Sequence, residues 1–178
     1  MRAKSGGLRA KTSVAVLLLL AATFAAAETI DRVLAVVAGQ LIMLSDVNAV
    51  RDLGIVNVRV DSPDPTGEVL STLIDRELML AEVDRYAQAE PDPAAIDRDV
   101  AIVRGRFPSE KAFNDVLTRA GYDMTHLREI VRQNLRLRAY LDQRFGTTDT
   151  DQRRRQTMID DWIAGLRRRT AVVNLYKK

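Results

Sequence analysis

Two short runs without a charged residue, "VLAVVAG" at Val33–Gly39 and "TAVVNLY" at Thr170–Tyr176, are the strongest strand candidates in a chain whose remaining pattern is helical. A strand has to pair its backbone N–H and C=O groups, and a two-stranded hairpin is marginal in water by itself. Ile30–Val37 reads as a first strand, Ala38-Gly39-Gln40 as a tight turn in which Gly39 tolerates positive φ, and Leu41–Leu44 as a short return strand. An uncovered apolar edge would invite aggregation, and nothing close in sequence supplies a third strand. Pairing the first strand with the C-terminal run solves this. The loop to be closed is long, but its entropic cost grows only logarithmically with length. The expected fold class is mainly α, a multi-helix domain with a small β-sheet joining the N-terminal hairpin and the C-terminal strand, and with Val36 and Val172 as neighbours.

The helical pattern between these runs is punctuated by start and stop signals. Ser45 offers its hydroxyl as an N-cap with Asp46 in the first turn, giving a short helix from about Asp46 to Leu53. Asp64-Pro65 and Asp92-Pro93 each set a cap residue before a first-turn proline. The first of these opens a long helix, with Leu73, Leu78 and Val83 on its stripe, reaching about Ala89; the second carries Ile96, Val100 and Val103. Pro108-Ser109 opens a helix with Phe113, Val116 and Leu117 inward, closed by Gly121. Asp123 caps the next, whose broad apolar face includes Leu127, Ile130, Val131, Leu135, Leu137, Leu141 and Phe145. After Gly146 and the polar connector "TTDTDQ", a last helix buries Ile159, Trp162, Ile163 and Leu166.

Ahead of the first strand, Arg2, Lys4, Arg9 and Lys11 precede an apolar run from Val14 to Phe24 and then Ala25-Ala26-Ala27. A basic start, a short apolar middle and small residues at the end make a secretory signal. A bilayer-spanning helix needs about 20 apolar residues, more than this run supplies. Residues 1–27 are therefore expected to be a cleaved signal peptide and residues 28–178 the folded domain, with no stable membrane insertion. Without those four basic residues the formal net charge of +3 becomes slightly negative, which removes the main support for a nucleic-acid partner. The chain has no cysteine, so disulfides, thiol chemistry and lipid attachment at a cysteine are excluded.

The order "VLAVVAGQLIMLSDV", "LIDRELMLAEVDRYA" and "DPAAIDRDVAIVRGRFPSEKAFNDVLTRAGYDMTHLREIVRQNLRLRAYL" resembles the N-terminal chaperone domain of the periplasmic SurA family. The closing "DWIAGLRRRTAVVNLY" is similar to the C-terminal helix and strand that complete the same domain. The resemblance spans nearly all of residues 28–178 and divides them into an N-terminal part, 28–145, and a closing part, 146–178. In full-length members one or two parvulin isomerase domains stand between these parts, whereas here the polar connector follows Phe145 at once. Parvulin-type sites use paired histidines with a cysteine or an aspartate, and this chain has one histidine and no cysteine. The resemblance therefore implies the chaperone half without the enzyme half.

That implies an exported, ATP-independent holdase of the periplasm of a Gram-negative-type bacterium. Its partners would be unfolded polypeptide clients, with outer-membrane proteins foremost, held by apolar and aromatic segments. No cofactor, metal or catalytic set is expected. The alternatives are a peptidyl-prolyl cis-trans isomerase-related protein and a non-catalytic module with one fixed partner. The client groove is expected between the second, fourth and fifth helices, from Leu78, Met79, Phe113, Tyr122, Met124 and Leu127. Met43, Met79, Met124 and Met158 are scattered over different elements, and methionine suits both core gaps and adaptable binding surfaces. His126, with Asp123 and Glu129 nearby, reads as a solvated or lightly hydrogen-bonded side chain rather than a metal ligand. The adjacent Asp160 and Asp161 cannot face one another on a helix and read as solvated charge. Arg128, Arg132 and Arg136 recur every four residues as one basic stripe, read as a solvated face before an anion-binding one.

Overall fold

The computed structural model describes residues 31–56, 59, 61–86, 88–146 and 151–177. The expected signal peptide, residues 1–27, and the connector residues 147–150 lie outside the described residues.

Strand β1 (Val33–Val37) and strand β2 (Gln40–Met43) run antiparallel, with Val36 opposite Leu41 and Val37 opposite Gln40. Between them Ala38 and Gly39 have φ values of 51° and 87°, the double positive φ of a primed turn that matches strand twist. Gly39 adopts this freely; Ala38 carries a Cβ into a region that costs an L-residue about 1–2 kcal/mol. The register is broken between Val33 and Ala35, and Leu34 and Ala35 are both buried. Strict alternation would send one of the two to solvent; the bulge lets both reach the core.

Strand β3 (Val172–Asn174) lies on the other side of β1, antiparallel, with Val36 opposite Val173 and Val37 opposite Val172. The sheet order is β2-β1-β3, so the two uncharged runs at the chain ends meet at its centre. The inner face of β3 is carried by Val172 and Tyr176, both packed on the core. The Tyr176 hydroxyl donates to Asp64 Oδ1 at 2.9 Å.

Among the described residues the helices are α1 (Leu44–Asp52), α2 (Pro65–Arg85), α3 (Pro93–Arg104), α4 (Glu110–Arg119), α5 (Met124–Phe145) and α6 (Gln152–Arg169). The expected caps are in place for α2 to α5. Asp64 accepts from the Gly67 N–H at 3.0 Å, Asp92 from Ala94 at 2.9 Å, Ser109 from Ala112 at 3.1 Å and Asp123 from His126 at 2.8 Å. Asp151 accepts from Arg154 at 3.2 Å and starts α6.

Strand β1 starts at Val33 where the sequence expectation began at Ile30, which lies outside the described residues, β2 is shifted by one residue, and two helix boundaries differ as well. Ser45 is not the cap of α1, because β2 runs straight into the helix and Leu44 N–H still bonds to the Arg32 carbonyl at 2.8 Å. The exposed first-turn N–H groups are satisfied from elsewhere. Asp46 Oδ2 accepts from Met43 N–H at 2.8 Å, and Asp31 accepts both the Ser45 N–H, at 3.2 Å, and its hydroxyl. Helix α2 stops at Arg85 rather than near Ala89. Tyr86 leaves it to lie against Tyr140, ring centroids 5.6 Å apart, and Pro91 disfavours helical backbone at Glu90 before it.

The buried residues form two clusters. The first joins Leu34, Val37 and Ile42 of the sheet to Leu70, Ile74 and Leu78 of α2, Leu137 and Tyr140 of α5, and Trp162 and Leu166 of α6. The second joins Leu53 to Ile96, Val100 and Val103 of α3, Phe113 and Leu117 of α4, and Leu127 and Val131 of α5. Helix α5, with 22 residues and so roughly 33 Å long, serves the second cluster with its first half and the first with its second half. It carries an apolar side chain at Ile130 that stays only half-buried, while Tyr140, absent from the expected stripe, is buried.

Candidate functional site

The six residues expected to form one client groove are divided by the structure. Leu78 and Met79 belong to the first cluster, Leu78 as a core residue and Met79 half-buried beside it. Phe113 and Leu127 are core residues of the second, and Tyr122 packs on its edge. Leu78, Phe113 and Leu127 are no more than 1% exposed, so none offers a surface to another chain in this conformation. The reason is periodicity: large apolar residues at helical spacing fill the side facing the neighbouring helix, and the sequence alone does not distinguish that side from an open groove. Tyr122 donates its hydroxyl to Asp46 Oδ1 at 2.7 Å. Its burial, and then this bond, push its phenol above the usual range. Of the six, only Met124 is exposed, at 38%.

Apolar surface is exposed elsewhere. Cross-strand partners in a sheet point to the same face, so Leu41, Val36 and Val173 form one row across β2, β1 and β3 on the side away from the helices. Leu175, two residues beyond Val173, continues that face. Leu41, Val173 and Leu175 are 58%, 51% and 52% exposed. The alternation in "TAVVNLY" is the signal that separates Val173 and Leu175 from the inward Val172 and Tyr176. It becomes usable only once the strand's partner fixes which side is inside.

Two further places carry open apolar surface. Ile55, Val103 and Val131 floor a cleft of about 250 Å³ whose rim is Asp99, Asn134 and Arg138, with Ile102 exposed beside it. At the far end of α5, Tyr86 and Tyr140 line a shallow cavity of about 540 Å³ with Arg144. Tyr140 continues inward to Trp162 and Phe145, with ring centroids 5.7 and 5.5 Å from Trp162. The Arg144 guanidinium lies 5.5–5.9 Å from the Tyr140, Phe145 and Trp162 ring centres, within cation–π range. Trp162 Nε1 has no hydrogen-bond partner among the described residues.

The arginine stripe of α5 is engaged with carboxylates along its length, exposed at Arg128 and increasingly covered toward Arg136. Arg128 pairs with Asp97 of α3. Arg132 pairs with Glu129 at 2.7 Å and with Glu90, in the α2–α3 loop, at 2.6 Å. Arg136 pairs with Asp84 of α2 at 2.9 Å and is 11% exposed. The hydrogen bonds from Arg132 hold the Glu129 carboxyl below its ordinary value, and those carboxylates in turn raise the Arg132 guanidinium. The stripe thus ties α5 to the elements on both sides. A similar arrangement fixes α6: Arg167 meets Asp75 at 2.6 Å, and Arg169 reaches the buried Glu82 at 3.2 Å.

His126 keeps to its helix end, with Nδ1 2.9 Å from Asp123 Oδ1 and its ring stacked on Tyr122. Asp160 accepts from Gln156 at 2.8 Å, and Asp161 is exposed. Among the described residues, no three histidine or carboxylate side chains gather in a metal-binding group, and no helix is long and apolar enough to cross a membrane. Compared with known proteins, the chain matches no family model and no curated sequence.

Proposed function

We propose that this chain is an exported, ATP-independent chaperone that holds unfolded polypeptide, with outer-membrane proteins as its principal clients in the periplasm. The observation that carries this reading is the row Leu41–Val36–Val173, extended by Leu175, on the outward face of the sheet. Isolated exposed apolar residues are ordinary; a contiguous row across three strands is the kind of surface that marks binding. The resemblance of residues 28–178 to the SurA-type chaperone domain agrees with it, as does a sheet that joins the two chain ends.

The energetics suit a holder that works without nucleotide. Each client side chain laid on this face gains at most about 1.5–3 kcal/mol. Association costs about 4–15 kcal/mol in lost freedom. A few such contacts leave binding weak and exchange fast, so a client can leave without an energy-driven step.

Light scattering of an unfolded outer-membrane β-barrel protein, diluted from denaturant with and without the chain, tests the proposal. Suppressed aggregation at a small molar excess is the expected result, weakened when Leu41 and Val173 are both replaced by Ser. No suppression at several-fold excess overturns it.

A further inference from the structure

The sheet has two edges, and β3 forms one of them. Along an antiparallel pair the backbone groups of alternate residues point toward the partner strand. Ala171 accepts from the Ala38 N–H at 3.5 Å, and Leu175 N–H donates to the Leu34 carbonyl at 2.9 Å. The odd-numbered residues of this run therefore face β1, and Val172 and Asn174 turn their N–H and C=O groups to the free side. The run from Thr170 to Tyr176 holds no charge and no proline, the devices that usually blunt an edge strand. Asn174 Oδ1 accepts from the Tyr176 N–H at 2.9 Å, so the open ladder ends there.

We propose that the free edge of β3 accepts an extended apolar segment of another protein as a fourth strand, selected by acidic residues at the ends of that segment. This rests on the chaperone reading and adds how, and by what chemistry, a client would be held. Backbone pairing gives affinity for any extended chain, and the alternate side chains of the added strand would lie beside Val173 and Leu175. The charge preference follows from the flanks. Arg167 and Arg169 are already paired with Asp75 and Glu82. Arg168 before the strand and Lys177 after it are exposed, with no ion pair among the described residues.

The same flanks argue against a second copy of this chain as the occupant. Antiparallel pairing of β3 with itself, Val172 opposite Asn174, would set Arg169 opposite Lys177 of the other copy with Arg168 next to it, and parallel pairing would set like residues together. Like charges placed opposite one another on paired strands are destabilising.

Fluorescence anisotropy with the full chain tests this. The probes are short labelled peptides of alternating valine and threonine with aspartates at both ends, the same peptide with lysines at both ends, and the aspartate peptide with every amide N-methylated, which blocks both of its edges. The aspartate peptide should bind about tenfold tighter than the lysine peptide, the equivalent of roughly 1.4 kcal/mol, and N-methylation should abolish binding. Replacing Arg168→Glu and Lys177→Glu together should reverse the order of the two charged peptides. Equal binding of the N-methylated peptide overturns the proposal, and so does a preference that survives the charge reversal. Because the N-methylated probe works on the unmodified protein, the outcome does not depend on a variant folding. Sedimentation showing a dimer that Asn174→Pro abolishes would instead assign the edge to a second copy. Full suppression of client aggregation together with no peptide binding removes the edge while leaving the chaperone reading; peptide binding without suppression removes the chaperone reading.

Discussion

The two hydrophobic clusters are built in opposite ways. The second is local: apart from Leu53, its core residues lie between Ile96 and Val131, on three helices joined by short turns. The first collects β1 and β2, α2, the end of α5 and α6, and it is closed by a strand from the far end of the chain, Val173 against Val36. Local contacts require little loop closure before they form, whereas the β1–β3 pairing requires ordering nearly the whole chain. The second cluster can assemble from its own segment. The first is expected to form late and to be lost early.

Removing Thr170–Lys178 tests that contrast with the largest effect. It takes away the partly buried Val172 and Tyr176, a side chain like these being worth about 1.5–3 kcal/mol at full burial, and about 1 kcal/mol for each β1–β3 hydrogen bond. A loss of roughly 5 kcal/mol or more is expected on these grounds. Hydrogen exchange should show α2 and β1 losing protection while α3 and α4 retain it. Simultaneous loss in all of them would show one cooperative unit and end the comparison.

Phe113→Ala attacks the other cluster and should cost about 3–5 kcal/mol, as cavities left by buried aromatics do. The only tryptophan, Trp162, lies in the first cluster and reports on it alone. In urea the variant should lose helical circular dichroism before its tryptophan emission shifts. Coincident transitions would again argue for a single unit.

Asp46 and Tyr122 join the two regions, since Asp46 holds the start of α1 through Met43 N–H and takes the Tyr122 hydroxyl in front of α5. The folded protein raises the Tyr122 pKa above its ordinary value of 10.0. The protonated phenol is therefore favoured by folding. Its contribution is complete below the unfolded value, near 10, and falls as pH rises toward and through the higher folded value, because the unfolded chain releases its proton first. Tyr122→Phe should cost about 1 kcal/mol at neutral pH and flatten the decline of stability above about pH 10. An unchanged alkaline limb in thermal melts would remove Tyr122 as its source.

The smallest effect sharpens the first region. Ala38 sits at a φ of 51°, so Ala38→Gly should stabilise the hairpin by about 1 kcal/mol. A lower melting temperature in the variant would show that the gain in unfolded-chain freedom outweighs the relief of strain.

Helix starts were legible because their causes are local. Asp64, Asp92, Ser109 and Asp123 bond to N–H groups two or three residues on, and no distant partner is needed. Ser45 misled because its hydroxyl is drawn to Asp31, fourteen residues earlier, where the β2-to-α1 passage leaves no loop position for a cap. Three of the expected client residues lie in the core for a related reason. Leu78, Phe113 and Leu127 are the large apolar residues that helical spacing makes conspicuous, and that is why the core takes them. The exposed row was hidden because Leu41 and Val173 become neighbours only through β1.

By itself the sequence determined the helical majority, the caps and the need for the two uncharged ends to find each other. Those follow from backbone hydrogen bonding and side-chain periodicity, which act within a few residues or leave a demand that only one other segment meets. Tertiary structure alone decided the rest: which apolar residues are core and which are surface, that Arg128, Arg132 and Arg136 are spent on carboxylates of neighbouring elements, and that among the described residues β3 keeps one edge open. Burial and ion pairing are properties of what stands opposite a side chain, and in this fold what stands opposite comes from residues distant in the chain.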